Sequence, residues 1–307
     1  MESSIMPASL PTSQRLAYQE ALLNWYHTYG RKDLPWRNTQ DPYPIYVSEI
    51  MLQQTQVKTV LERYYYPFLE RFPTLQALAD APQEAVTKAW EGLGYYNRAR
   101  NLHKTAQLTA PSLPDSIDAL QALPGIGKNT AHAIAAFAFH QPVAVMEANV
   151  KRVLCRLLGL TEPTTAELWE AAEALLDTNH PFDYNQAMMD MGAMVCTKTA
   201  PACARCPIEQ YCIGKHAPEA HPAPKKTKKT PVRHKHIIIL KTKDNMFHVK
   251  QREGRFLHGL YGFTELEPSS TMLPLGETTF PLSRATALGH VTQTYSHFQL
   301  DAKVSTL

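Results

Sequence analysis

Two glutamates, a glycine turn and a group of cysteines are the residues of this 307-residue chain whose types and spacing could do chemistry. Glu49 lies in Ser48-Glu49-Ile50-Met51-Leu52-Gln53-Gln54-Thr55-Gln56-Val57. On a helix its neighbours three and four residues away are Ile45, Tyr46, Leu52 and Gln53. A carboxyl among such groups is desolvated, which raises its pKa and keeps a proton available near neutral pH, the condition for a general acid. The same pattern fits a partly exposed glutamate hydrogen-bonded to Gln53, and spacing alone leaves both readings open. Glu147 stands just before Asn149-Val150-Lys151-Arg152-Val153. Taken singly it reads as a solvated residue at a helix start.

Twenty residues before Glu147, Leu123-Pro124-Gly125-Ile126-Gly127 brackets one apolar residue with two glycines and runs into an alanine-rich helical pattern. Such a turn aims successive N–H groups outward at a helix N-terminus, a ready anion site, and Lys128 adds a positive charge. There is no GxxxxGK[ST] string, so a nucleic-acid backbone is expected there before a nucleotide. Four of the five cysteines, Cys196, Cys203, Cys206 and Cys212, fall in one segment spaced C-x6-C-x2-C-x5-C. Four thiolates this close suit a tetrahedral zinc or a cubane iron–sulfur cluster. Zinc sites usually pair two CxxC knuckles, and only one pair here has that spacing. Cys155, in an apolar helical pattern, reads as an inert core residue.

Helices must position these groups. Helical spacing of apolar residues predicts helices over 13–29, 45–63, 75–79, 84–91, 98–108, 149–159, 165–178 and 183–195, so residues 13–195 form an all-α domain. From 214 to about 233 proline, histidine and lysine accumulate, the mark of an extended, solvated connection. Its lysines Lys225, Lys226, Lys228 and Lys229 fit a solubilising linker at least as well as a DNA contact. Beyond it, 236–240 and 246–249 read as strands around an Asp244-Asn245 turn. The expected division is 1–213, a linker over 214–233, and a smaller domain over 234–307.

Bulk composition narrows the classes. Hydrophobic content is 44% with no run of eighteen apolar residues, so a soluble protein that does not span a membrane is expected. The N-terminus lacks the basic-then-apolar pattern of a signal peptide, which makes the cysteines metal ligands in a reducing compartment before disulfides. A net charge of +3 is too small to argue for a polyanion partner. Local clusters such as Arg98, Arg100 and Lys104 carry that argument instead.

Several of these strings together resemble one family. The LPGIG hairpin with a carboxylate-x-Asn-Val-Lys-Arg-Val stretch, the helix around Glu49, and GLGYYxRARNLH from Gly92 to His103 resemble the helix-hairpin-helix adenine DNA glycosylases of the MutY type. The cysteine spacing matches the [4Fe–4S] loop of the endonuclease III and MutY group. The resemblance covers roughly residues 15–300 in consistent order. It implies an intracellular, DNA-associated and monomeric base-excision enzyme, hydrolysing the N-glycosidic bond of adenine opposite 8-oxoguanine or guanine in duplex DNA. By that analogy Glu49 protonates the base, Glu147 stabilises the oxocarbenium-like sugar, and Asn149 orients Glu49 or the water. Tyr95 and Leu93 act as wedge and lesion-side contact, Gln54 and Thr55 lie against the opposing strand, and Trp36 and Arg37 line the base pocket. Gly125, Gly127 and Lys128 hold phosphate. Cys196, Cys203, Cys206 and Cys212 carry the cluster, stapling the loop with Lys198 and Arg205 against the backbone. The second domain resembles the α+β MutT-like domain that reads 8-oxoguanine, with Tyr295, Ser296 and His297 as its recognition loop.

Three departures from the family pattern bear on activity. Glu147 and Ala148 replace the usual aspartate and glycine, which moves the carboxylate by one methylene and predicts reduced activity unless the backbone compensates. Asn129 stands where bifunctional relatives have their Schiff-base lysine, so strand cleavage through an imine is not expected. The chain stops ten residues after His297, so the second domain is expected to be short. The alternatives are a thymine- or oxidised-pyrimidine-specific glycosylase of the same superfamily, and a lesion-binding protein with reduced catalysis.

Overall fold

The computed structural model describes residues 10–224, 230–254, 256–295 and 297–307. The chain divides into two compact units, Met1–Pro224 and Lys225–Leu307. Helices fill the first unit: α1 (Thr12–Tyr29), α2 (Pro42–Leu52), α3 (Val57–Arg63), α4 (Tyr65–Arg71), α5 (Leu75–Asp80), α6 (Gln83–Ala89), α7 (Asn97–Thr109), α8 (Ile117–Gln121), α9 (Lys128–Ala138), α10 (Ala148–Leu157), α11 (Thr165–Leu175) and α12 (Pro181–Asp190). Their ends are written in the sequence. Asp41 accepts the Tyr43 amide at 3.0 Å with Pro42 in the first turn of α2, and Thr164 and Glu167 form a reciprocal capping box at α11.

Two apolar cores hold the unit. One gathers Tyr46, Phe68, Trp90, Leu102 and Ile134 from α2, α4, α7 and α9 and the turn after α6. The other gathers Tyr18, Leu22, Leu154, Leu168 and Met188 from α1, α10, α11 and α12. Alanines 131, 133, 135 and 136 of α9 are wholly buried, so this helix has little side-chain bulk to hold its neighbours away. The helices bearing Glu49 and Glu147 belong one to each core, and the functional groups lie between them.

Residues 45–63 are not one helix. The chain breaks after Leu52: Gln53 leaves helical geometry at ψ 111° and Gln54 takes φ 58°. Arg98 explains the break, because its guanidinium collects the freed carbonyls of Ile50, Met51 and Gln53. The segment expected as helix over 183–195 changes pitch at Met191, where Met191–Val195 form a π turn. The first half of the expected extended connection is also folded. Ile213–His216 and Pro218–Ala220 form 3-10 turns, tied back by Arg156 Nε to the Pro218 carbonyl at 2.9 Å and by the Ala223 amide to the Thr161 carbonyl at 2.8 Å. The lysines at 225, 226, 228 and 229 lie outside the described residues.

The second unit is a sheet. It comprises β1 (Val232–Lys241), β2 (Phe247–His248), β3 (Lys250–Gln251), β4 (Tyr261–Gly262), β5 (Thr264–Leu266), β6 (Met272–Leu275), β7 (Thr278–Pro281), β8 (Thr286–Thr294) and β9 (Gln299–Thr306). β1 runs parallel to β9 from Val232↔Gln299 to Ile239↔Thr306, β8 adds antiparallel to β9, and β2 and β5 pair with the other side of β1. The turn expected at Asp244-Asn245 is present, with Asn245 at φ 62°. The expected α+β character is not: among the described residues this unit has one 3-10 turn, Leu282–Arg284, and no α-helix. The strands rich in Ile, Val and Thr favour the pleated form, and no 3.6-residue apolar period follows them. Among the described residues no helix is long and apolar enough to cross a membrane.

Candidate active site and cysteine loop

Glu49 lies in the last turn of α2, half-buried. Burial pushes its pKa up to about 7, the negative charge of Glu147 adds to the rise, and Arg37 pulls the other way. The fold therefore brings together two glutamates 98 positions apart in sequence. Glu147 is the N-cap of α10, extended at φ −87° and ψ 179°, and its Oε1 accepts the Val150 amide at 3.3 Å. That bond orients the carboxylate at the mouth of α10, beside Glu49.

Asn149, one turn into α10, is held from below. Its Oδ1 accepts from Arg152 Nη2 at 2.8 Å, and the same guanidinium reaches the carbonyls of Gly192 at 2.7 Å and Cys196 at 2.8 Å. Arg152 thus joins Asn149 to the π turn and to the first cysteine. Gly192 is required there, because a Cβ on it would lie 2.5 Å from Asn149 Cβ.

Trp36 and Arg37 are core residues at this end of the site. Trp36 is buried edge-on to Tyr65 with ring centroids 5.1 Å apart. Arg37 is clamped bidentately to Asp190 at 2.8 and 2.9 Å, and Arg31 binds the same carboxylate. Burial works to raise the Asp190 pKa, but the hydrogen bonds and charges of Arg37 and Arg31 win and hold it below the ordinary value. Asp190 was not among the residues singled out from the sequence; only the bare string Met-Met-Asp-Met-Gly marks it.

The expectation that Arg98 contacts phosphate is overturned. It is 9% exposed, and besides the α2 carbonyls it binds the Leu93 and Gly94 carbonyls and the Thr55 hydroxyl. Burial lowers its pKa to about 10. Arg98 is the post around which the loop 53–55 and the loop 92–95 are hung. Tyr95 hangs from that post at φ 50°, 42% exposed, with the Arg98 guanidinium 5.4 Å from its ring centroid, while Leu93 is buried. Gln54 and Thr55 sit on the facing loop. A projecting aromatic beside two ordered loops has the form of a wedge for a base stack.

At the hairpin, Gly125 takes φ 76° and a Cβ there would strike Asn101 at 2.7 Å, so both conformation and space demand glycine. Gly127 caps α9, and a Cβ on it would meet nothing within 4 Å: the turn faces open space. Lys128 does not reach over that turn. Its ammonium lies 4.0 Å from the Trp169 ring centroid. Asn129 is also engaged, its Oδ1 accepting the Met146 amide at 2.8 Å.

Cys196, Cys203, Cys206 and Cys212 are free, half-buried thiols that line one small cavity together with Arg156. Among the described residues no three His, Cys, Asp or Glu side chains are drawn together closely enough to hold a metal ion. The donor set nonetheless suits a thiolate-bound group. Burial pushes Cys206 up to about 12 and Cys212 up to about 11, and the neighbouring cysteines push in the same direction. Arg156 supplies compensating charge, its Nη1 3.3 Å from Cys196 Sγ. In the second unit Tyr295 packs against Phe256 and Phe298, and His297 is exposed; Ser296 lies outside the described residues.

Comparison with known proteins agrees with this geometry. Residues 47–177 match the family described as HhH-GPD superfamily base excision DNA repair protein. An adenine DNA glycosylase of Buchnera aphidicola subsp. Acyrthosiphon pisum is 33% identical over 295 residues, covering 92% of this chain and 84% of the relative. A second Buchnera adenine DNA glycosylase and the human one are each 42% identical over 64% of this chain, matches that span 58% and 39% of those relatives' own lengths. Among solved structures, a thermostable thymine-DNA glycosylase superposes with a TM-score of 0.61 at 29% identity, covering 66% of this chain and 97% of that one. An endonuclease III–DNA complex superposes at 0.58 and 20% identity over 67% of this chain and 98% of that one, which speaks for the fold alone. With a relative matched over nearly its whole length and the hairpin, the paired glutamates and the Tyr95 loop in place, the chain belongs to the adenine DNA glycosylase family of the HhH-GPD superfamily.

Proposed function

We propose that this chain is a monofunctional adenine DNA glycosylase acting on duplex DNA, inside the cell, at adenine mispaired with 8-oxoguanine or guanine. The observation that carries the reading is the half-buried Glu49, its pKa near 7, beside the Glu147 carboxylate. The adenine leaves the stack before chemistry, with Tyr95 filling the duplex. Glu49 donates its proton to N7, the C1′–N9 bond breaks with its electron pair going to the base, and the Glu147 carboxylate stabilises the cationic sugar. Water then adds to C1′ and gives its proton to the Glu49 carboxylate, restoring the starting state. Asn149, fixed by Arg152, orients the groups at this edge. Asn129 and Lys128 are both occupied elsewhere, so no free amine is offered to the sugar and strand cleavage is not part of the reaction.

The four cysteines of the loop fit a [4Fe–4S] cluster, which when bound supplies a thiolate cross-link of residues 196–212. The second unit, with Tyr295 and His297 at the turn between β8 and β9, is the candidate reader of the opposite base.

A single-turnover assay on duplex DNA with adenine opposite 8-oxoguanine, followed by alkali, tests the reading. Release by the wild type, lost in both Glu49→Gln and Glu147→Gln, supports it. Release of thymine or an oxidised pyrimidine instead would favour the activity named for the thymine-DNA glycosylase neighbour. Tight binding without release, restored in Glu147→Asp, would indicate a binder.

A further inference from the structure

The second unit contains a cavity that neither the base-excision chemistry nor the β8–β9 turn uses. Its volume is about 490 Å³, within the range of about 300–1,000 Å³ typical of small-ligand sites. Its lining includes His236 and Lys303, direct partners in the parallel β1–β9 ladder whose side chains therefore share one sheet face. Lys235 lines it as well, and the chain before β6 and after β7 adds the hydroxyl residues Ser270, Thr271 and Ser283. Prolines, a methionine and a leucine complete the wall.

The charge balance is one-sided. Lys235 has one acidic neighbour, Glu267, at 2.5 Å and 68% exposed, while Lys303 makes no ion pair among the described residues. Asp301, on the same face of β9, is already taken by His234 at 2.9 Å and His290 at 3.1 Å. His236 is 8% exposed and bonded through Nε2 to Ser305 Oγ at 2.9 Å; burial and then the charge of Lys303 hold its pKa below the ordinary value. Two ammonium groups, a poised imidazole and three hydroxyls over an apolar wall form a receptor for a phosphate ester, the anionic oxygens on the cations and the sugar on the wall.

We propose that this cavity is a phosphate-binding site of the second unit, taking the phosphoryl group of a DNA backbone or of a free nucleotide. The backbone source rests on the glycosylase reading; the free nucleotide does not.

The test uses the full chain and the variants Lys303→Gln, Lys235→Gln and Glu267→Gln. Adenosine monophosphate is titrated while the His236 ring is followed by NMR. The expected result is a rise of the His236 pKa on ligand addition, reduced in both lysine variants and strengthened in Glu267→Gln. In parallel, duplex affinity is measured across salt concentrations. Loss of one backbone contact lowers the slope of log K against log[salt] by about 0.9. A reduced slope in Lys303→Gln, with the rate of base release at saturating enzyme unchanged, identifies the DNA backbone. A nucleotide response with an unchanged slope identifies the free ester. Silence in both measurements overturns the proposal. If the wild type releases no adenine yet His236 responds to nucleotide, the glycosylase reading fails and the site stands.

Discussion

The carboxylates of Glu147 and Glu49 act on each other across the gap between α10 and α2: the charge of the first raises the pKa of the second. Each is placed by a different device. Glu147 is aimed by capping its own helix, and Glu49 is lifted by burial at the end of α2. The pair divides into a proton donor and a persistent anion because the two environments differ.

A pH dependence follows with a definite sign. Glu49 is the acid below about 7 and the base above it, so single-turnover base release should fall about tenfold per pH unit above that value. Removing the charge in Glu147→Gln removes a contribution that raises the pKa, so the Glu49 midpoint must move to lower pH. A ¹³C-carboxyl titration reads this shift even where catalysis is lost. A midpoint unmoved by Glu147→Gln would show that the two carboxyls do not interact.

Arg98→Met should damage both stability and the wedge. The substitution strips partners from the carbonyls of Ile50, Met51, Gln53, Leu93 and Gly94, and each buried group left unpaired costs about 1–3 kcal/mol. A loss of at least about 3 kcal/mol is expected in urea denaturation, with Tyr95 losing its fixed place. If stability is unchanged while only DNA affinity falls, Arg98 is a phosphate ligand after all.

Asp190→Asn leaves Arg37 and Arg31 without their counterion in a buried setting, at a cost of roughly 3–5 kcal/mol. Because the Asp190 pKa is depressed, its contribution is fully present above the unfolded carboxylate pKa of about 3.9 and is lost as pH falls through the folded one. The wild type should therefore lose stability relative to Asp190→Asn at acid pH. Equal acid-unfolding slopes for the two proteins would contradict this.

Gly192→Ala places a methyl against Asn149, with contacts of 2.5 Å to its Cβ and 3.0 Å to its carbonyl oxygen. Overpacking of this kind costs about 1–3 kcal/mol. Because the displaced residue is Asn149, base release should fall more than thermal stability predicts. Thermal melts beside single-turnover rates decide; proportional losses would mark the site as structural only.

What the sequence disclosed were groups whose neighbours are close along the chain. The LPGIG turn, the cap before α10 and the grouping of four cysteines are local patterns, and Glu49's apolar surroundings follow from helical spacing. What it withheld were partnerships between distant residues. Arg98 reads as a basic surface residue because nothing near it shows that α2 will deliver three carbonyls to it. Lys128 sits where a phosphate ligand belongs, yet Trp169, 41 positions on, captures it. Asp190 pairs across 153 residues with Arg37, and no period or spacing could announce that. The break at Gln53 was hidden for the same reason: its cause lies on another helix.

The π turn at Met191–Val195 sets a rule for how this chain can change length. A π turn is an α-helix carrying one residue more than its pitch requires. Deleting any single residue between 191 and 195 would relax the segment to α geometry and rotate everything after it by about 100°. Cys196 would swing away from both arginines that hold it, Arg152 on its carbonyl and Arg156 on its sulfur. Descendants of this sequence are therefore free to lengthen or shorten the loops between later cysteines far more readily than to lose one residue ahead of the first.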